Sequence, residues 1–213
     1  MKKTTAVLWG LVLLIQMGCE QSQMKQKEVQ GQKQREGKSL EKGMVAVVME
    51  TEMGIIEMAV DTVRAPITAA NFLKYVEGKF YDGGKFHRAV TMDNQPNDTV
   101  KIEVIQCDIN RERQKESYPA IVLERTSVTG LKHKNGTLSM ARNGPDTATG
   151  SFSIVINEQP EMDFGGKRNK DGQGFAAFGE VIKGMEVVKK IQAAPKEGQS
   201  MKPPVKIISV KRK

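Results

Sequence analysis

Two apolar, β-branched-rich blocks open the patterned part of the chain: residues 44–50 (MVAVVME) and 54–60 (GIIEMAV), separated by Thr51, Glu52 and Met53. Two such runs joined by a short connection predict a β-hairpin. The period then changes. Residues 66–76 place apolar side chains at Ala69, Phe72, Leu73 and Val76, with Pro66 in the first turn and Gly78 beyond the end, which predicts a helix with one apolar face. Further short strands are predicted over residues 87–92, 99–106, 137–141, 152–157, 174–178 and 205–210, set apart by Gly, Pro, Asn and Asp clusters. A second helix is predicted over residues 183–193, with Met185, Val188 and Ile191 on one side. Many short strands, two helices and no internal repeat predict a mostly β chain closed, or nearly closed, into an antiparallel barrel, the arrangement that removes sheet edges.

The first 43 residues follow another pattern. Lys2 and Lys3 precede the uncharged run Ala6 to Met17, which is shorter than the roughly 20 residues of a spanning helix and ends at Gly18-Cys19. This reads as a lipoprotein-type signal over residues 1–19, with a lipid on Cys19 anchoring the chain to a membrane. Met17 and Gln16 depart from the small and aliphatic residues usual before such a cysteine, which leaves an uncleaved anchor or ordinary signal cleavage as alternatives. Residues 20–43 are Gln- and Lys-rich with Val29 and Leu40 as their only aliphatic side chains, a composition that cannot offset its ordering entropy and reads as a flexible tether. Residues 44–213 then form one domain. Cys107 is the single cysteine left in it, so an intradomain disulfide is impossible.

Charge changes the picture little. Of the formal +8, residues 1–43 supply eight Lys/Arg against four Glu, and residues 44–213 supply 25 basic against 21 acidic side chains. The domain is mildly basic with interspersed charges and no basic block alternating with aromatics, which argues against a nucleic-acid partner.

Three blocks carry chemistry. Residues 79–88 (KFYDGGKFHR), 136–145 (GTLSMARNGP) and 178–188 (FGEVIKGMEVV) resemble, in order, the signature, central strand and final helix entry of the cyclophilin-type peptidyl-prolyl cis-trans isomerases. The resemblance implies an eight-stranded barrel capped by two helices that takes an X-Pro segment on its outer face and rotates the prolyl bond. It places the catalytic role on Arg88, oriented by Gln106, and substrate contacts on Val104, Ala141, Arg142, Ser153, Met162 and Phe175. No cofactor or metal is implied, since no covalent bond breaks. With the signal, the expected partners are X-Pro segments of exported proteins, met by a monomer facing the periplasm or cell surface.

The departures matter as much. Ser153 stands where the family has the aromatic that faces the prolyl ring, Glu103 and Glu161 fall on pocket positions, residues 93–98 look like an inserted turn, and Cys107-Asp108 replaces the usual Gly-Gly. A thinned pocket keeps a second reading open, a cyclophilin-fold binding module with little turnover. An unrelated ligand-binding barrel is a third. Strand alternation predicts that His87 and Arg88 point to opposite faces, with His87 structural and half-buried. His133 is expected on the surface.

Overall fold

The computed structural model describes residues 41–213; Cys19, the signal over residues 1–19 and the tether up to residue 40 lie outside the described residues. Strand β1 (Met44–Thr51) pairs antiparallel with β2 (Gly54–Asp61), Met44 opposite Asp61 and Thr51 opposite Gly54. Thr51 closes that turn twice, its hydroxyl donating to the Gly54 carbonyl at 2.8 Å and accepting from the Met53 amide at 3.1 Å. The other strands are β3 (Lys85–Val90), β4 (Val104–Asp108), β5 (Thr137–Met140), β6 (Phe152–Val155), β7 (Ala176–Lys183), β8 (Lys196–Glu197) and β9 (Ser200–Arg212). The sheet runs β1-β2-β7-β5-β6-β4-β3-β9-β8, and β9 pairs back onto β1. That return closes eight antiparallel strands into a barrel, with the two-residue β8 a hairpin arm on β9.

Alternation sends one side of each strand inward. Val47 and Met49, Ile56 and Met58, Ile105 and Cys107, Leu138 and Met140, and Phe152 and Ile154 are all buried in one core. Helix α1 (Pro66–Glu77) adds Phe72, Leu73, Tyr75 and Val76 to it, and its first-turn amides, Ile67 and Thr68, donate to the Glu124 carboxylate at 3.1 and 2.7 Å. An anion at a helix N-terminus satisfies orphan donors and favours the dipole, a role the missing side-chain cap leaves open. The one-turn helix α2 (Thr126–Thr129) follows later, and α3 (Met185–Gln192) buries Val187, Val188 and Ile191.

Three element boundaries differ from expectation. Residues 99–103 form no ladder, because the buried Gln95 amide takes that part: it donates to the Thr91 and Ile102 carbonyls at 2.7 and 2.8 Å and accepts from the Ile102 amide at 3.2 Å. Strand β7 runs on to Lys183 opposite Glu57, so α3 starts only after Gly184, whose φ of +92° favours glycine and whose Cβ would meet the Ile55 carbonyl oxygen at 2.4 Å. Strand β9 begins at Ser200, earlier than residue 205, since it must reach β8, β3 and β1 in turn.

Candidate active site

The outer face of the barrel between β3 and β7 carries a row fixed by register. Arg88 lies opposite Gln106, Gln106 opposite Ser153, and Ser153 opposite Ser139. The row starts with an irregularity. The β3–β4 register slips between Phe86 and Arg88, while Phe86 and Ala89 both lie in the core. His87 and Arg88 are therefore two successive residues left outside the core, and the expected opposition of their side chains does not hold: a bulge inserts one residue and resets the alternation. His87 is half-buried as expected, with Asp108 Oδ2 3.4 Å from its Nδ1 but no hydrogen bond to that atom. Burial lowers its pKa, against the opposing pull of Asp108.

Three bonds orient the Arg88 guanidinium. Nη1 donates to Gln106 Oε1 at 3.1 Å, while Nε and Nη2 donate to Gln199 Oε1 at 2.8 and 2.5 Å. Gln199 sits between β8 and β9, held by its Nε2 bond to the Asn94 carbonyl at 3.2 Å and by the Ala89 amide donating to its own carbonyl at 3.0 Å. No pattern in the sequence pointed to it. Burial, and next the Arg168 cation, pull the Arg88 pKa below its ordinary value, with Asp98 opposing. A guanidinium nonetheless keeps its charge and its rigid fork of donors.

An apolar wall flanks this pair. Val90, Ile102, Val104, Val155 and Met162 form a second buried cluster, with Phe175 packed against it. Val104, Met162 and Phe175 thus come together with Arg88 and Gln106, and Ile102 joins them where the sequence pointed to Glu103. Glu103 is engaged elsewhere: its carboxylate accepts from Asn157 Nδ2 at 2.7 Å and its carbonyl accepts from the Ile156 amide at 2.9 Å. Glu161 accepts from the Lys167 amide at 2.7 Å. Neither acid pairs with Arg88. Ala141 and Arg142 complete the rim of a cavity of about 340 Å³ onto which Arg88, Gln106, Ser153 and Phe175 open. The Arg142 side chain is 2% exposed and turned inward, forked onto both oxygens of Asp171 at 2.8 and 2.9 Å and donating from Nε to the Gly174 carbonyl at 2.7 Å.

His133 is the largest correction. It is buried, its Nδ1 2.7 Å from Asp163 Oδ1 and its Nε2 2.9 Å from the Ser139 hydroxyl. An ionised carboxylate only accepts, so Nδ1 carries the proton toward Asp163. The flanking lysines suggested a surface position, but the turn from Lys132 to Thr137 drops the ring beneath Ser139. The Asp163 pKa is lowered: burial raises it, but bonds from the His133 ring and amide and the nearby Lys132 outweigh burial. A depressed carboxyl stabilises the fold above its unfolded pKa of about 3.9 and ceases to as pH falls through the lower, folded value. Thermal melts between pH 7 and pH 2 should show the Asp163→Asn variant losing less stability than wild type in the step below about pH 4; parallel curves would mean the pair contributes nothing there.

A closed eight-stranded antiparallel barrel with helices packed on it defines a cyclophilin-like architecture, and the arginine–glutamine pair lies beside an apolar wall on its outer face. The sequence profile of the cyclophilin type peptidyl-prolyl cis-trans isomerase/CLD family matches residues 46–212, and the chain belongs to that family of enzymes. It is 38% identical over 173 residues to a peptidyl-prolyl cis-trans isomerase of Acinetobacter baylyi, covering 78% of this chain and 85% of that one. With peptidyl-prolyl cis-trans isomerase A of Dickeya dadantii it shares 36% over 152 residues, 71% and 73% of the two chains. Among solved structures, a cyclophilin type isomerase of Cryptosporidium parvum superposes with a TM-score of 0.60 at 17% identity over 80% of this chain and 98% of that one, which concerns the fold alone.

Proposed function

We propose that this isomerase acts on X-Pro segments of exported proteins from a lipid anchor on Cys19, and that Arg88 performs the catalysis. The observation that carries the reading is the Arg88 guanidinium fixed by Gln106 and Gln199 at the edge of the wall formed by Val104, Met162 and Phe175. The prolyl ring enters against that wall. Rotation about the amide costs roughly 18–20 kcal/mol because the nitrogen lone pair is delocalised into the carbonyl. In the twisted state the lone pair is localised on nitrogen, and a donor aimed there stabilises that state over either planar isomer. Gln106 holds the donor in place and offers its amide to the peptide backbone. Ser139, over the His133–Asp163 pair, and Ser153 form a polar floor where a ring would otherwise lie.

That floor favours a second reading. With Ser153 in place of an aromatic, the site loses apolar contact with proline, about 1.5–3 kcal/mol for one well-buried side chain, and a binding module with little turnover would result. Protease-free measurement of the cis-to-trans rate of short X-Pro peptides with the full chain separates the two. Acceleration supports the isomerase, and tight binding without acceleration supports the module. The anchor rests on Lys2, Lys3, the apolar run and Gly18-Cys19. In cells fed a labelled fatty acid, wild type should carry the label and partition with membranes, and Cys19→Ala should do neither; an unlabelled wild-type chain would overturn the anchor.

A further inference from the structure

Three arginines, Arg88, Arg142 and Arg168, line the cavity, and among the described residues no aspartate or glutamate lines it. Their charges are unequally answered. Arg142 is spent on Asp171 through both terminal nitrogens. Arg88 is held by the neutral amides of Gln106 and Gln199, and no carboxylate of the described residues contacts it directly, Asp98 acting only from a distance. The Arg168 guanidinium makes its polar contacts through one nitrogen: Nη1 reaches Asp98 Oδ2 at 3.2 Å, the Val100 carbonyl at 2.6 Å and Gln95 Oε1 at 3.0 Å. Its Nε and Nη2 have no acceptor among the described residues. The side chain is nevertheless only 12% exposed, clamped onto the loop that the buried Gln95 organises, so this is a positioned group and not a mobile surface arginine. Its one acidic partner, Asp98, is 41% exposed and weakened by solvent. Arg168 is also close enough to Arg88 to disfavour its charge.

Two like charges facing a half-enclosed cavity repel one another and focus a positive potential into it, a cost that an anionic ligand relieves. We infer that Arg168 is a specificity determinant that selects X-Pro segments carrying an aspartate or glutamate beside the proline, the carboxylate accepting from Nε and Nη2. This rests on the X-Pro reading of the site, and a guanidinium offering two parallel donors is the geometry that takes a carboxylate two-pronged. The inserted loop over residues 93–98 and the segment around Arg168 thereby gain a common purpose: each would be an unneeded excursion from the barrel, and together they hold one cation at the rim.

The test is equilibrium binding of fluorescent X-Pro peptides to the full chain, with Glu, Gln or Lys immediately before or after the proline, and with turnover measured separately on the same peptides. At low salt the Glu peptide should bind about 10-fold tighter than its Gln counterpart in at least one of the two positions, and the Lys peptide weaker, with the gap shrinking as salt rises. Arg168→Gln should bring the Glu/Gln ratio to near one. Asp98→Asn, which removes the competing carboxylate from an exposed position, should widen it. Equal binding of Glu and Gln peptides at both positions, or an unchanged ratio in both variants, overturns the inference. An intact Glu preference without turnover of any peptide would instead retain this inference and sink the isomerase reading.

Discussion

Arg88→Ala should lower kcat/KM for a short X-Pro peptide on the order of 10²–10³-fold, the effect of deleting one donor aimed at charge that develops in a transition state. The loss should appear mainly in kcat, because Ile102, Val104, Met162 and Phe175, the apolar wall of the cavity proposed to take the proline ring, are untouched. Arg88→Lys should recover little. A lysine has no planar fork and cannot hold Gln106 on one side and Gln199 on the other while presenting a donor between them. The same samples must melt normally, since a drop in stability would account for lost turnover without chemistry. If the alanine variant retains wild-type rates with an unchanged melt, Arg88 is not the catalytic group, and Gln106 and the serine floor become the candidates.

The second large effect is on stability. Phe72 on α1 is fully buried, its ring centroid 5.5 Å from Tyr81, 5.2 Å from Phe152 and 5.2 Å from Phe178, so it joins the helix to strands β6 and β7 and to the turn that leads into β3. Phe72→Ala removes that burial and leaves a void that a closed barrel collapses into poorly, at about 3–5 kcal/mol. Against the roughly 5–15 kcal/mol of a whole domain, that is a large fraction. Ile67, on the exposed side of the same helix, gives the contrast: Ile67→Ala should move the urea midpoint little. A small shift for Phe72→Ala in urea denaturation would mean that α1 is not tied to the barrel through its aromatic face.

Much of the fold was legible in the chain. The hairpin of residues 44–60, the helix from Pro66 and the strands at Thr137 and Phe152 rest on local periodicity, and each came out within a few residues of its expected place. The reason for the glycines of the third block came only with the structure: a Cβ at Gly179 would sit 2.4 Å from the Ala59 carbonyl oxygen, and one at Gly184 would strike Ile55. Arg88 is legible because it closes the first block of family resemblance, whereas Gln106, Val104, Met162 and Phe175 lie between the blocks and follow only from carrying the resemblance along the chain from one block to the next. Two expectations outside the blocks did not hold. Glu103 was placed in the wall where Ile102 lies, and His133 was placed on the surface where it is buried against Asp163 and Ser139.

The sequence by itself determined the kind of elements, their order, the family, and the residue types at the site, because apolar periodicity and turn chemistry are properties of a few neighbouring residues. Tertiary structure decided which side chains meet. Alternation along β3 could not reveal the bulge at His87, since a bulge is defined only by the register of the partner strand. Gln199 reaches Arg88 across 111 positions of chain, and Arg168 reaches Gln95 across 73. Such contacts depend on how the barrel closes, with β9 returning to β1, and barrel closure is a property of the whole chain that no local window carries.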